Sequence, residues 1–156
     1  MFADIFPPEN IIVGLESEDK DEVFEEMLEV IVSAQPYISR QEALTALKER
    51  ENKMTTGIMQ GIAVPHAISP SVKGVAGALG ISFTGIDYDA MDKKPVHIVF
   101  MLLFDPKENE QHLQIMKQFA DLLRHKDLCN ALMQKKSPQE VYDAIRSYEA
   151  AMESDY

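Results

Sequence analysis

The chain has 156 residues, a hydrophobic fraction of 46% and a net charge of −11, from 15 basic and 26 acidic side chains. This length and composition fit one globular domain with a sizeable core. The acidic balance argues against nucleic acid and anionic membrane as partners, and suits either a basic protein partner or a plain solvated surface.

Cys129 is the single cysteine, so an internal disulfide and a thiolate zinc cluster are both excluded. Its neighbours Leu128, Ala131 and Leu132 place it on a helix face as a buried structural thiol. No basic stretch followed by an apolar run opens the chain, so no signal peptide is expected. The longest apolar run, 98–104, is too short to span a bilayer. A cytoplasmic location is expected.

Residues 4–10 read as a short turn or helical start, broken at Pro7 and Pro8. A strand over 11–15 follows. Asp19 or Ser17 caps a helix in which Val23, Phe24, Met27, Leu28, Val30 and Ile31 recur at helical spacing. Ser39 and Glu42 form a capping box for a second helix, with Ala43, Leu44 and Leu47 inward, running to about residue 51. The run 62–64 predicts a strand that stops at Pro65, which has no N–H to give. His66 is then expected where the strand gives way to loop, held firmly yet reachable. The segment 75–83 predicts a strand with Gly77 and Gly80 as weak points, and 84–88 a connection. The run 95–104 is the strongest strand, apolar enough to be buried on both faces. An amphipathic helix over 110–124 presents Leu113, Met116, Phe119, Ala120 and Leu123. A short helix over 128–133 precedes a second capping box, Ser137 to Glu140, with Pro138 at the first helical position. The last helix carries Val141, Tyr142, Ile145 and Tyr148, and the chain is expected to fray from 149. Strands interleaved with helices indicate an α/β domain with helices on both sheet faces; the expected architecture is a single domain with a mixed β-sheet between helical layers. The domain is assigned to 1–150 and a frayed tail to 151–156.

Gly57 and Gly61 match neither a Walker loop nor a dinucleotide fingerprint, and taken alone mean turns. The four histidines differ in setting. His97 lies inside the strongest strand and reads as a satisfied strand histidine. His125, between Arg124 and Lys126, reads as a helix C-terminal charge or an exposed residue. His66 and His112 each follow a strand. If those strands are parallel neighbours, both reach one crevice at the carboxyl edge of the sheet. A two-histidine metal site is the rival, although no obvious carboxylate or thiolate completes it.

The segment Arg50-Glu51, Thr56-Gly57, then Gly61-Ile62-Ala63-Val64-Pro65-His66, followed by Ser69-Pro70 and Val72-Lys73, has a distinctive order. Gly85-Ile86-Asp87-Tyr88-Asp89-Ala90, Lys94-Pro95-Val96 and Glu110-Gln111-His112-Leu113 extend it. Together they closely resemble the IIA domain of the fructose–mannitol class of the bacterial phosphotransferase system, which includes the nitrogen-regulatory IIA proteins. The resemblance covers nearly the whole chain. It implies a phosphoryl carrier, a phosphotransferase in the relay, whose histidine takes a phosphoryl group from phosphorylated HPr. Sugar-specific members pass it to a cysteine of a IIB domain; the alternative is a regulator whose phosphorylation state selects a target protein.

The resemblance places the acceptor at His66 and the second active-site histidine at His112. It places the upstream arginine at Arg50 and the hydroxyl before the first glycine at Thr56. Neutral imidazole is nucleophilic at cytoplasmic pH. His112 and Thr56 are expected to donate hydrogen bonds to the phosphoryl group, and Arg50 to offset its charge. Neither cofactor nor metal is expected. Many family members have glycine where this chain has Met54, Met59 and Ala67. Met59, Ile62 and Ile68 are expected to form an apolar docking surface around His66, framed by acidic side chains. With no second domain or membrane helix expected, the chain leans toward a free-standing, regulatory IIA protein.

Overall fold

The apolar run predicted as the strongest strand is the centre of the sheet. The computed structural model describes residues 2–154, apart from the side chains of Met59 and Ser154. Two 3₁₀ turns, Phe2–Ile5 and Pro8–Asn10, lead into β1 (Ile11–Val13). Helices α1 (Lys20–Ala34) and α2 (Arg40–Lys53) follow. Three short strands come next: β2 (Gly57–Met59), β3 (Ile62–Ala63) and β4 (His66–Ile68). The long pair β5 (Val75–Ile86) and β6 (Val96–Phe104) precedes α3 (Asn109–Leu122), α4 (Leu128–Met133) and α5 (Pro138–Ser154). Strand order is β1-β5-β6-β3-β2, with β4 also on β6. β5 runs antiparallel to β6, while β3 and β4 run parallel to it, so the sheet is mixed as expected.

Alternation along β6 builds two cores. Val99, Met101 and Leu103 pack with residues of α1 and α2. Ile98, Phe100, Leu102 and Phe104 pack with residues of α3, α4 and α5. β5 stays paired to Ile86 through an irregular stretch, beyond the connection expected from residue 84. Gly77 and Gly80 are points of close approach. A Cβ on Gly77 would lie 2.6 Å from Ile5 Cγ2, and one on Gly80 2.7 Å from Leu15 Cδ1. Asp19, rather than Ser17, caps α1 by accepting from the Glu22 N–H. Ser39 caps α2 through the Glu42 N–H, but its own N–H goes to Ser71 Oγ. Half of that capping box is therefore replaced by a tertiary contact.

Two expectations shift. Helix α3 buries Ile115, Phe119 and Leu122, whereas Leu113 is 70% exposed. Phe119 meets the rings of Phe2 and Phe100 edge-on at 4.8 and 4.9 Å, and this aromatic cluster sets the helix rotation. The expected tail is also ordered further: α5 continues to Ser154, while residues 155 and 156 lie outside the described residues. The cause is Glu149, which is 4% exposed. Its carboxylate accepts from the backbone N–H of Phe2 at 2.7 Å and of Ala3 at 3.0 Å, tying the helix to the start of the chain.

Replacing Glu149 with Ala strands these buried donors. We expect Glu149→Ala to lose about 2–3 kcal/mol in urea unfolding. An unchanged midpoint would mean that the two ends of the chain are held by apolar packing alone.

Candidate active site around His66

β3 and β4 share one edge of β6. Ile62 and Ala63 pair with Ile98 and Val99, and His66 resumes the ladder opposite Leu102. The two residues between them, Val64 and Pro65, make the site. Pro65 has no N–H, but its carbonyl accepts from Leu102 at 3.0 Å, so the chain rejoins the sheet at once. His66 therefore begins a strand rather than a loop. The Val64 N–H is held by the Thr56 carbonyl at 3.0 Å. The Val64 carbonyl turns instead to His66 Nδ1, at 2.8 Å. A carbonyl can only accept, so Nδ1 carries the proton and Nε2 keeps its lone pair.

The ring of His66 is half-buried. Burial pushes its pKa below the ordinary 6.5, and the nearby Arg50 charge acts the same way, against the opposing Val64 bond. The neutral, nucleophilic form therefore prevails at neutral pH.

A cleft of about 270 Å³ opens beside the ring. Its α2 wall is Ala46, Glu49, Arg50 and Lys53, one face of the helix. Ala67 and Ile68 follow His66 along β4, and His112 stands opposite on α3. Two cations and one carboxylate give this wall a local charge opposite to that of the whole chain. Arg50 Nη1 donates to the Met54 carbonyl at 2.9 Å, pinning the end of α2. No ion pair with a glutamate occupies Arg50 among the described residues. His112 stacks on Phe104, with ring centroids 4.1 Å apart and planes 19° from parallel. Its ring nitrogens have no hydrogen-bond partner among the described residues. Burial lowers its pKa as well. It lies in the first turn of α3, where the helix dipole favours an anion.

The structure thus brings His66, His112 and Arg50 to one cleft. Thr56 stands apart. It is buried, and both its N–H and its hydroxyl donate to Glu51, at 2.7 and 2.6 Å. Tyr88 lies 2.7 Å from the same hydroxyl. Its proton is committed to Glu51 rather than to the cleft. His97 bonds the Ser82 carbonyl through Nδ1 at 2.8 Å, as a satisfied strand histidine. His125 meets Tyr148 edge-on at 5.0 Å. Burial raises the Cys129 pKa, and the thiol stays structural. Among the described residues, no three His, Cys, Asp or Glu side chains converge as metal ligands would.

The apolar rim is also redistributed. Ile62 is 4% exposed and belongs to the core, and the Met59 side chain lies outside the described residues. Ile68 and Met54 are exposed instead, as is Leu113, next to His112. Lys53, Glu49 and Leu113 were missed as site residues. The spacing 46, 49, 50, 53 is the signal that marks the α2 wall.

The family described as "Phosphoenolpyruvate-dependent sugar phosphotransferase system, EIIA 2" matches residues 4–148. A fructose-specific EIIA component of this phosphotransferase system from Haloferax volcanii is 39% identical over 126 residues, covering 81% of this chain and 82% of that protein. A fructose-specific EIIABC component from Bacillus subtilis is 32% identical over 147 residues, covering 94% of this chain; the chain spans 23% of that longer protein. The crystal structure of nitrogen regulatory protein IIA-Ntr from Neisseria meningitidis superposes with a TM-score of 0.82 at 29% identity, covering 90% of this chain and 96% of that one. No described helix is long and apolar enough to cross a membrane. Family match, fold and relatives agree: this chain belongs to the EIIA 2 family of the phosphotransferase system, the fructose–mannitol and nitrogen-regulatory class of IIA domains.

Proposed function

We propose that His66 accepts a phosphoryl group on Nε2 from a phosphohistidine of an HPr-type carrier in the cytoplasm. The observation that carries this reading is the Val64 carbonyl on Nδ1, which leaves the Nε2 lone pair as the free nucleophile beside a cationic wall. The lone pair attacks phosphorus in line. A bond from Nε2 to phosphorus forms as the carrier's nitrogen–phosphorus bond breaks, and that electron pair leaves with the carrier's imidazole. The proton on His66 Nδ1 stays where it is, so no general base is needed.

Arg50 offsets charge on the transferring group, and an Nδ1–H or Nε2–H of His112 donates to one of its oxygens. The carrier docks on Ile68 and Leu113, the exposed apolar residues flanking the two histidines. The phosphoryl group then passes to a IIB cysteine, whose thiolate attacks phosphorus and releases neutral imidazole. The fructose-specific name of the Haloferax volcanii relative favours this outcome. Likeness to the Neisseria meningitidis regulatory protein favours the second reading, in which the phosphorylation state selects a protein target with little onward transfer.

Incubation with phosphorylated carrier tests the acceptor. His66→Ala is expected to lose all labelling while keeping its circular dichroism spectrum and unfolding midpoint. Full labelling of that variant would move the acceptor elsewhere.

His112→Ala should still be labelled, but with transfer slowed about 10- to 1000-fold, or about 1.4 to 4 kcal/mol of barrier. Wild-type rates in both directions would leave His112 with a packing role on Phe104.

The depressed His66 pKa has a definite sign. Its ring should titrate by NMR with a midpoint below 6.5. The unfolded chain binds that proton more readily than the folded one, so the stability contributed by neutral His66 is complete above about pH 6.5 and declines as pH falls below it. A midpoint at or above 6.5 would contradict the burial and Arg50 account.

A further inference from the structure

A cavity of about 720 Å³ lies on the far side of α2 from the His66 cleft, between α1, α2 and the segment at 89–93. At its floor is a buried carboxylate that the transfer step leaves unused. Glu51 is 7% exposed and directly follows Arg50, so the last turn of α2 turns Arg50 to the cleft and Glu51 to the interior.

Two of the four contacts of this carboxylate go to Thr56. Oε2 accepts from the Thr56 N–H at 2.7 Å and pairs with Lys20 at 3.1 Å. Oε1 accepts from the Thr56 hydroxyl at 2.6 Å and, at the longer distance of 3.3 Å, from the Tyr88 hydroxyl. A carboxylate only accepts, so Thr56 gives its proton to Glu51 and takes one from Tyr88 at 2.7 Å. Thr56 is thereby held at both its backbone and its side chain. Its carbonyl, in turn, holds the Val64 N–H, and the Val64 carbonyl holds His66 Nδ1. The Val64 peptide belongs to the break between β3 and β4, where no rung to β6 fixes its carbonyl. Its aim depends on Thr56 from one side and Pro65 from the other. Gly57 adds a steric limit, because a Cβ there would lie 2.8 Å from Tyr88 Cδ1.

We propose that Glu51 is a positioning residue for His66. Through Thr56 and Val64 it fixes which ring nitrogen holds the proton and where the other points. Thr56 then serves the reaction through its backbone, rather than by touching the phosphoryl group. The relation to transfer rests on His66 being the acceptor, whereas the relation to the ring's proton does not.

The test reads the ring directly. In the unphosphorylated full chain at neutral pH, the long-range ¹H–¹⁵N spectrum of His66 should report the Nδ1–H tautomer. Glu51→Gln removes one acceptor and the charge facing Lys20, and Thr56→Val removes the hydroxyl arm without changing shape. Both should raise the Nε2–H fraction. Both should slow labelling by phosphorylated carrier by about ten- to a hundredfold, with the carrier concentration at half-maximal rate unchanged, because the docking surface is intact. Thr56→Ser, which keeps the hydroxyl, should restore tautomer and rate. If Glu51→Gln fails to fold, Thr56→Val and Thr56→Ser decide the matter alone. Wild-type tautomer and rate in Thr56→Val would overturn the proposal. So would a slower rate with an unchanged tautomer, which would return Thr56 to direct contact with the phosphoryl group. Labelling of His66→Ala would instead overturn the acceptor assignment and leave the tautomer result standing.

Discussion

The site depends on one hydrogen bond, from His66 Nδ1 to the Val64 carbonyl. An imidazole has two chemically similar nitrogens, and in water the proton exchanges between them. A fixed acceptor on one nitrogen removes that freedom and makes the other a standing nucleophile. The carbonyl is available because Pro65 interrupts the edge ladder of β6 for two residues. The same proline accepts from Leu102 and returns the chain to the sheet, so the ring is borne by a strand instead of a mobile loop. The atom proposed to react, Nε2, is thus oriented through a backbone carbonyl.

Electrostatics complements this geometry. The whole chain is strongly acidic, yet the α2 wall of the cleft carries Arg50 and Lys53 against Glu49. In the proposed function, a dianionic phosphoryl group would meet a local field opposite to the global one. Burial, with the Arg50 charge, also keeps His66 neutral, so in the proposed function one arrangement favours both the nucleophile and its substrate. Under the same proposal, the acidic remainder would suit a basic carrier surface and affect the rate of encounter more than the chemistry.

Much of this was legible in the sequence, for identifiable reasons. The continuous apolar run 95–104 read as a strand buried on both faces, and the interleaving of strands with helices implied helical layers on both sides of the sheet. The order of motifs around Pro65-His66 and His112 pointed to the right family, and the crevice reading required the parallel pairing that β4 and β6 make. What stayed hidden was set by tertiary contacts. Helix periodicity allows several rotations for α3, and the Phe2, Phe100 and Phe119 cluster selects the one that exposes Leu113. A threonine beside a glycine looks like a donor for a ligand until the fold sets Glu51 beneath it. Glu149 looked like the start of a frayed end, because nothing nearby in sequence reveals that its partners are Phe2 and Ala3.

The central claim concerns one atom. A ¹⁵N-labelled sample phosphorylated by the carrier, with ³¹P–¹⁵N couplings resolved for His66, identifies the nitrogen bonded to phosphorus. The account predicts coupling to Nε2, with the Nδ1 proton retained and protected from solvent exchange. Coupling to Nδ1 would contradict it, since the Val64 carbonyl would then face a nitrogen with no proton to give.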